Sequence, residues 1–311
     1  MTAPASSRSA RPLSNGVWGV LATPFCEGGR RVDLVSLRAE VALYAGLAGE
    51  GVAGVVALGV FGEAASLSLH EQEAVLAEVV AASPVPVVAG LSVRASAPAI
   101  EQGLRLAEAG GGRLEALMVQ VGSGQPSVAG RTFDEVHEAV GLPILVQDYP
   151  VVSGVAIRPE VLGELVADRP YVVGVKCEAP PTAAAIAVLR ERVQVPCFGG
   201  LGGVGLVDEL AAGAAGAMTG FSCPEGLVAA VRAFSEGGFA AAREVFSPWL
   251  PLANFEGQPG IGLAIRKEIL RRRGVIAESS VRPPAPGIPP GLLPRLAEHL
   301  ATLPPPVVPI R

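Results

Sequence analysis

The stretch Tyr171-Val-Val-Gly-Val-Lys176 ends a β-branched run in a lysine, and lysine is scarce in this chain. Only Lys176 and Lys267 occur among 311 residues; every other fixed cation is arginine. Val172, Val173 and Val175 are typical of a strand buried on both faces of a parallel sheet, so a charge at its end marks the point where the chain emerges. Arginine could be solvated there equally well, but it cannot give up its proton. A lysine amine can, and can then form a Schiff base with a carbonyl substrate. The bland alternative is a lysine that caps a strand end in water. Lys267, in Ala264-Ile-Arg-Lys-Glu-Ile-Leu, reads as the solvated face of an amphipathic helix.

Such a lysine has to be positioned, and the hydrophobic pattern says by what. From Gly16 onward, apolar runs of about five residues alternate with amphipathic stretches, the mark of repeated βα units. The runs fall at 17–22, 54–58, 86–90, 116–120, 143–147, 172–176, 195–199 and 214–219, each followed by a helical pattern. Ser68 ahead of Glu71 predicts a capping box at one helix start. Eight strands each followed by a helix predict a (β/α)₈ TIM barrel over 16–236; a doubly wound open sheet has the same periodicity. A tail over 1–15 is expected to be disordered and lacks a signal-peptide core. Residues 237–311 form a C-terminal helical appendage with a proline-rich end.

Composition excludes other classes. Half the residues are apolar, 17% are charged and the net charge is −5. No basic stripe offers a nucleic-acid surface. No apolar run approaches the roughly 18 residues of a membrane span. Four cysteines without metal-ligand spacing suggest free thiols in a cytoplasm. Neither a metal nor an organic cofactor is expected.

In a barrel, catalytic groups come from the C-terminal ends of strands. Those ends read Thr23, Gly59-Val60-Phe61-Gly62-Glu63, Gln120, Gln147-Asp148-Tyr149, Lys176, Gly199-Gly200 and Met218-Thr219. Lys176 is the only cation on this rim, and an ammonium alone in an uncharged mouth gives up its proton readily. In the Gly59–Gly62 turn, backbone N–H groups can face an anion such as a carboxylate. The motif Gly200-Leu-Gly202-Gly-Val-Gly205 formally matches a dinucleotide fingerprint, but no acidic residue ends the strand that follows.

Together these stretches resemble the dihydrodipicolinate synthase and N-acetylneuraminate lyase family, class I Schiff-base aldolases on a (β/α)₈ barrel. The carriers are Gly59-Val-Phe-Gly62-Glu63, Gly174-Val-Lys176-Cys-Glu178, Ala215-Gly-Ala-Met-Thr219-Gly with Pro224, and Arg266-Lys-Glu-Ile-Leu through Arg282-Pro-Pro. The resemblance implies that Lys176 forms an imine with pyruvate or another 2-oxo acid, and that the Val60 and Phe61 amides hold its carboxylate. It implies Gly59, Gly199, Met218 and Thr219 as further binding positions, an aldehyde as the second substrate, and a homo-oligomer, tetramer or dimer. The departures are specific. Gln147 stands where the family has a proton-shuttling tyrosine, and an amide cannot take a proton at neutral pH. Val60 and Phe61 replace a threonine pair, and Val152 replaces the synthases' arginine for a second carboxylate. Dihydrodipicolinate synthesis is therefore not expected. Asp148, Tyr149 and Glu63 are the nearest groups that could take over proton transfer, although Asp148 could equally cap a loop and Glu63 order its turn. With no other rim cation, the pocket suggests an uncharged aldehyde partner. The rivals are a 2-oxo sugar-acid dehydratase and a barrel that binds a 2-oxo acid or sugar acid without turnover.

Overall fold

The computed structural model describes residues 10–305. Eight parallel strands close into a barrel: β1 Val17–Val20, β2 Val52–Ala57, β3 Val87–Gly90, β4 Leu114–Gln120, β5 Ile144–Asp148, β6 Val172–Cys177, β7 Cys197–Gly199 and β8 Gly216–Thr219. Their order around the barrel is the order in the chain, with β1 bonded to both β2 and β8. All eight predicted strands are present, and the sheet closes, which settles the choice against an open doubly wound sheet.

The helices that cover the barrel are α1 Leu34–Ala45, α2 Leu69–Ala82, α3 Ser96–Ala109, α4 Pro126–Val140, α5 Pro159–Ala167, α6 Thr182–Arg190, α7 Leu206–Ala211 and α8 Pro224–Phe246. The capping box at α2 is formed: Ser68 Oγ accepts from the Glu71 amide, and Glu71 accepts from the Ser68 amide. Period-two alternation splits the strand side chains between two cores. Val55, Ala57 and Val146 face the helices, whereas Trp18, Val56, Met118, Leu145, Phe198 and Met218 fill the lumen. A side chain as completely buried as Phe198 contributes roughly 1.5–3 kcal/mol, so the barrel interior is a packed core, and a ligand is accommodated at its mouth.

Two features depart from the expectation. The last residues of the 1–15 tail are ordered: the Leu13 amide donates to the Val173 carbonyl at 2.9 Å, Ser14 O accepts from Trp18 Nε1 at 3.0 Å, and Leu13 packs into the lumen core. An apolar side chain there closes the barrel floor against water, a gain that a local composition of serine, alanine and arginine does not reveal. Residues 1–9 lie outside the described residues. The second departure is a small hairpin after β1, Phe25–Cys26 with Arg31–Val32, too short to carry an alternation signal.

Beyond the barrel, α8 breaks at Gly238, where φ is +69°, and α9 Leu250–Glu256, α10 Gly262–Arg272 and α11 Leu293–Ala301 follow. Among the described residues no helix is long and apolar enough to cross a membrane. The end of α9, the turn after it and the start of α10 return to the strand ends and line one side of the site.

Candidate active site

Strand register decides which side chains reach the mouth. Gln147 and Lys176 are cross-strand partners on β5 and β6. Lys176 is only 4% exposed, and its Nζ lies 3.2 Å from Glu178 Oε2. The same oxygen accepts a 2.7 Å hydrogen bond from Gln147 Nε2, while Glu178 Oε1 accepts from the Leu201 amide at 3.4 Å. The lysine is therefore not the lone ammonium that the strand ends suggest: a carboxylate two residues on, on the same face of the extended chain, is paired with it. Gln147 Oε1 has no partner among the described residues.

A second carboxylate stands behind the first. Glu209 on α7 is buried, accepts from Thr182 Oγ1 at 2.6 Å and leaves Oε2 unpartnered among the described residues. Burial pushes its pKa up to about 7, the Thr182 hydrogen bond pulls against that, and the charge of Glu178 adds to the rise. Gly199 and Gly200 carry no side chain because a Cβ at either would fall on Glu209 or Glu178.

A cavity of about 680 Å³ opens above Lys176 and Glu178, bounded by Val60, Phe61, Tyr149 and Thr219 from the strand ends and by Asn254, Glu256, Gln258 and Arg266 from the C-terminal helices. Burial, with Glu178 nearby, raises the pKa of the Tyr149 hydroxyl. Thr219 Oγ1 accepts from the Gly202 amide at 2.8 Å. Gly59 packs over Val20 in the floor, Met218 is wholly within the lumen core, and Gly199 makes room for Glu209; these three shape the site from beneath. Asp148 is not brought to the cavity. It is the next residue after Gln147 on β5 and pairs with Cys177, which packs in the helix-side core. Burial first, and Glu178 second, push its carboxyl up to about 6.

The turn after β2 is fixed from below and behind. Leu58 and Glu63 both adopt left-handed backbone, with φ +59° and +55°, and Thr23 Oγ1 donates to the Gly62 carbonyl at 2.6 Å. Among the described residues the Val60 and Phe61 amides have no acceptor. Glu63 is buried and pairs with Lys267; its other oxygen accepts from the Arg282 amide at 2.8 Å. Lys267 is not on a solvated face. It is completely buried, donates to the Ser280 carbonyl at 3.0 Å and lies 4.2 Å from the centre of the Phe25 ring. A charge among apolar neighbours on a helix reads as solvated only if nothing covers it, and here the β1 hairpin and the 280–282 segment do.

Arg266 corrects a further expectation, that the pocket has no second cation. Its Nε lies 3.2 Å from Glu256 Oε2, and its guanidinium lies 5.0 Å from the centre of the Phe61 ring. Glu256 is fully buried and also accepts from the Ser222 amide at 3.3 Å. Burial pushes Glu256 up to about 7, against the pull of Arg266.

Comparison with known proteins finds relatives over nearly the whole chain. The model of the Dihydrodipicolinate synthetase family matches residues 13–296. The L-2-keto-3-deoxyarabonate dehydratase of Azospirillum brasilense is 28% identical over 291 residues, 91% of this chain and 92% of that protein. The 4-hydroxy-tetrahydrodipicolinate synthase of Methanothrix thermoacetophila is 32% identical over 246 residues, 77% of this chain and 81% of that one. The crystal structure of dihydrodipicolinate synthase from Rhodopseudomonas palustris superposes with a TM-score of 0.85 at 29% identity, over 94% of this chain and 99% of that one.

Proposed function

The chain belongs to the Dihydrodipicolinate synthetase family of lyases and related dehydratases, and from that premise we propose that it is a Schiff-base enzyme that removes water from a 2-oxo acid bearing a C3 methylene and a C4 hydroxyl. The observation that carries this reading is the contact of Glu178 with both Lys176 and Gln147. Where the family resemblance calls for a tyrosine, this site has an amide that cannot move a proton and a carboxylate that can.

The steps follow from those atoms. Glu178 takes the ammonium proton, the free Lys176 amine adds to the C2 carbonyl, and Glu178 returns that proton to the carbinolamine hydroxyl, which departs as water and leaves a protonated imine. The carboxylate then removes a C3 proton, giving an enamine. The enamine electrons break the C4–oxygen bond, and Glu178 returns its proton so that the hydroxyl departs as water. Hydrolysis of the conjugated imine releases the product and restores the lysine. Gln147 Nε2 holds the carboxylate in place throughout, and the Val60 and Phe61 amides receive the substrate carboxylate. Tyr149 and Thr219 offer hydroxyls, and Asn254 and Gln258 amides, to a hydroxylated chain. The name L-2-keto-3-deoxyarabonate, carried by the Azospirillum relative, describes a compound with the required C2 carbonyl and C3 methylene.

Aldol cleavage would use the same imine and the same carboxylate with the proton taken from the C4 hydroxyl. Product analysis separates the two: dehydration of 2-keto-3-deoxyarabonate gives a single compound lighter by one water, whereas cleavage gives pyruvate and an aldehyde. No turnover of any 4-hydroxy-2-oxo acid would leave only the reading of a binding barrel. We place the protein in the cytoplasm, in keeping with four free cysteines, and read it as a homo-oligomer, dimer or tetramer. Light scattering that reports a stable monomer would contradict the last point.

A further inference from the structure

Arg266 is the cation that the strand ends do not supply, and its surroundings fix it in one pose. Glu256 takes its Nε and the Phe61 ring lies beneath the guanidinium plane. A Cβ at Gly202, where φ is +73°, would stand 2.6 Å from Nη2, so a glycine at that position leaves the fork its space. Glu256 is itself held by the Ser222 amide and hydroxyl. Only 14% of the Arg266 side chain is exposed, and among the described residues neither terminal nitrogen has an acceptor. Arg266 lines the same cavity as Lys176. A desolvated guanidinium with Nε occupied and both outer nitrogens free is a preorganised receptor for a planar anion.

Position says which anion. Arg266 stacks on Phe61, the residue whose unpartnered amide belongs to the Gly59–Gly62 turn. Hydroxyls that could help those amides are missing, since Val60 and Phe61 offer apolar side chains. We propose that Arg266 binds the C1 carboxylate of the 2-oxo acid together with the Val60 and Phe61 amides, and so fixes the C2 carbonyl against Lys176. This rests on the Schiff-base reading for its orientation, but not for the recognition of the carboxylate. It makes Arg266 a selectivity residue for 2-oxo acids over uncharged 2-oxo compounds, and it leaves the far end of the cavity to hydroxyls.

The test compares pyruvate with pyruvamide, which keeps the ketone and lacks the charge. Affinities are measured by calorimetry on the full chain, in wild type, Arg266→Gln and Arg266→Lys, with circular dichroism to confirm folding. The expected result is a preference for pyruvate that falls by about ten- to a hundredfold in Arg266→Gln, the scale of hydrogen bonds to a charged group, with partial recovery in Arg266→Lys. Because pyruvate has no distal group, an unchanged preference in a folded Arg266→Gln overturns the inference and reassigns Arg266 to the far end of the substrate. Where Arg266→Gln does not fold, the folded Arg266→Lys decides alone: it loses the paired fork and should lose part of the preference, and an unchanged ratio overturns the inference. Borohydride trapping of pyruvate in wild type is run in parallel. Absence of an adduct beside an Arg266-dependent preference would refute the Schiff-base reading and leave this one standing.

Discussion

Glu178 Oε2 lies 3.2 Å from Lys176 Nζ and accepts a 2.7 Å hydrogen bond from Gln147 Nε2, so one carboxylate oxygen joins the nucleophile to the amide that replaces a tyrosine. Replacement by Glu178→Gln keeps the shape and removes the base. Dehydration of 2-keto-3-deoxyarabonate should slow by about 10²–10⁴-fold, while borohydride still traps a pyruvate adduct. Single-turnover kinetics beside trapping measure both. Full activity in Glu178→Gln would assign the proton transfer to Tyr149 instead.

The Lys267–Glu63 pair is buried beneath the turn after β2. Lys267→Met leaves Glu63 as an unpaired buried charge, which costs about 3–5 kcal/mol. Adding Glu63→Gln should recover much of that, since the two residues share one interaction. Urea midpoints of the two single variants and the double variant give the coupling. Simple additivity would mean that the pair does not act as a unit.

Burial pushes the Glu40 carboxyl up to about 8, against the pull of its hydrogen bond from the Ala22 amide and of the charge on Lys267. The unfolded chain releases this proton near pH 4.5, whereas the folded chain holds it until about pH 8. Below the lower value the group adds no pH dependence. As pH rises between the two values, stability falls, and it levels off above the upper one. Glu40→Gln keeps an acceptor for the Ala22 amide and removes the titration. Its melting temperature should therefore fall less than that of wild type between pH 5 and pH 9. Parallel curves would assign the pH dependence to other carboxyls, such as Glu209 and Glu256.

The barrel was legible because buried parallel strands announce themselves as short β-branched runs, and eight of them have one common closed arrangement. Lys176, Gln147, Tyr149 and the Gly59–Gly62 turn were legible as strand ends. Glu178 lies in the lysine motif, and period-two alternation from Lys176 puts it on the same face. The same rule turns Asp148 away from the site. Arg266, Glu256 and Lys267 were not legible. The C-terminal helices bring Glu256, at the end of α9, and Arg266, on α10, to the mouth and bury Lys267 beneath the turn after β2, contacts between segments some 200 residues apart that no local period encodes; they invert the expectation of a solvated Lys267 and of a pocket without a second cation. Leu13 was hidden for the same reason: one apolar residue in a polar stretch has no period.

On the Schiff-base reading, Lys176 is the amine that forms the imine. Borohydride reduction in the presence of pyruvate, followed by peptide mass mapping, tests it most directly, because the chain offers only two lysines. A single reduced adduct is expected on the peptide containing Lys176, lost in Lys176→Arg. An adduct on Lys267, or no adduct with any 2-oxo acid, would contradict it.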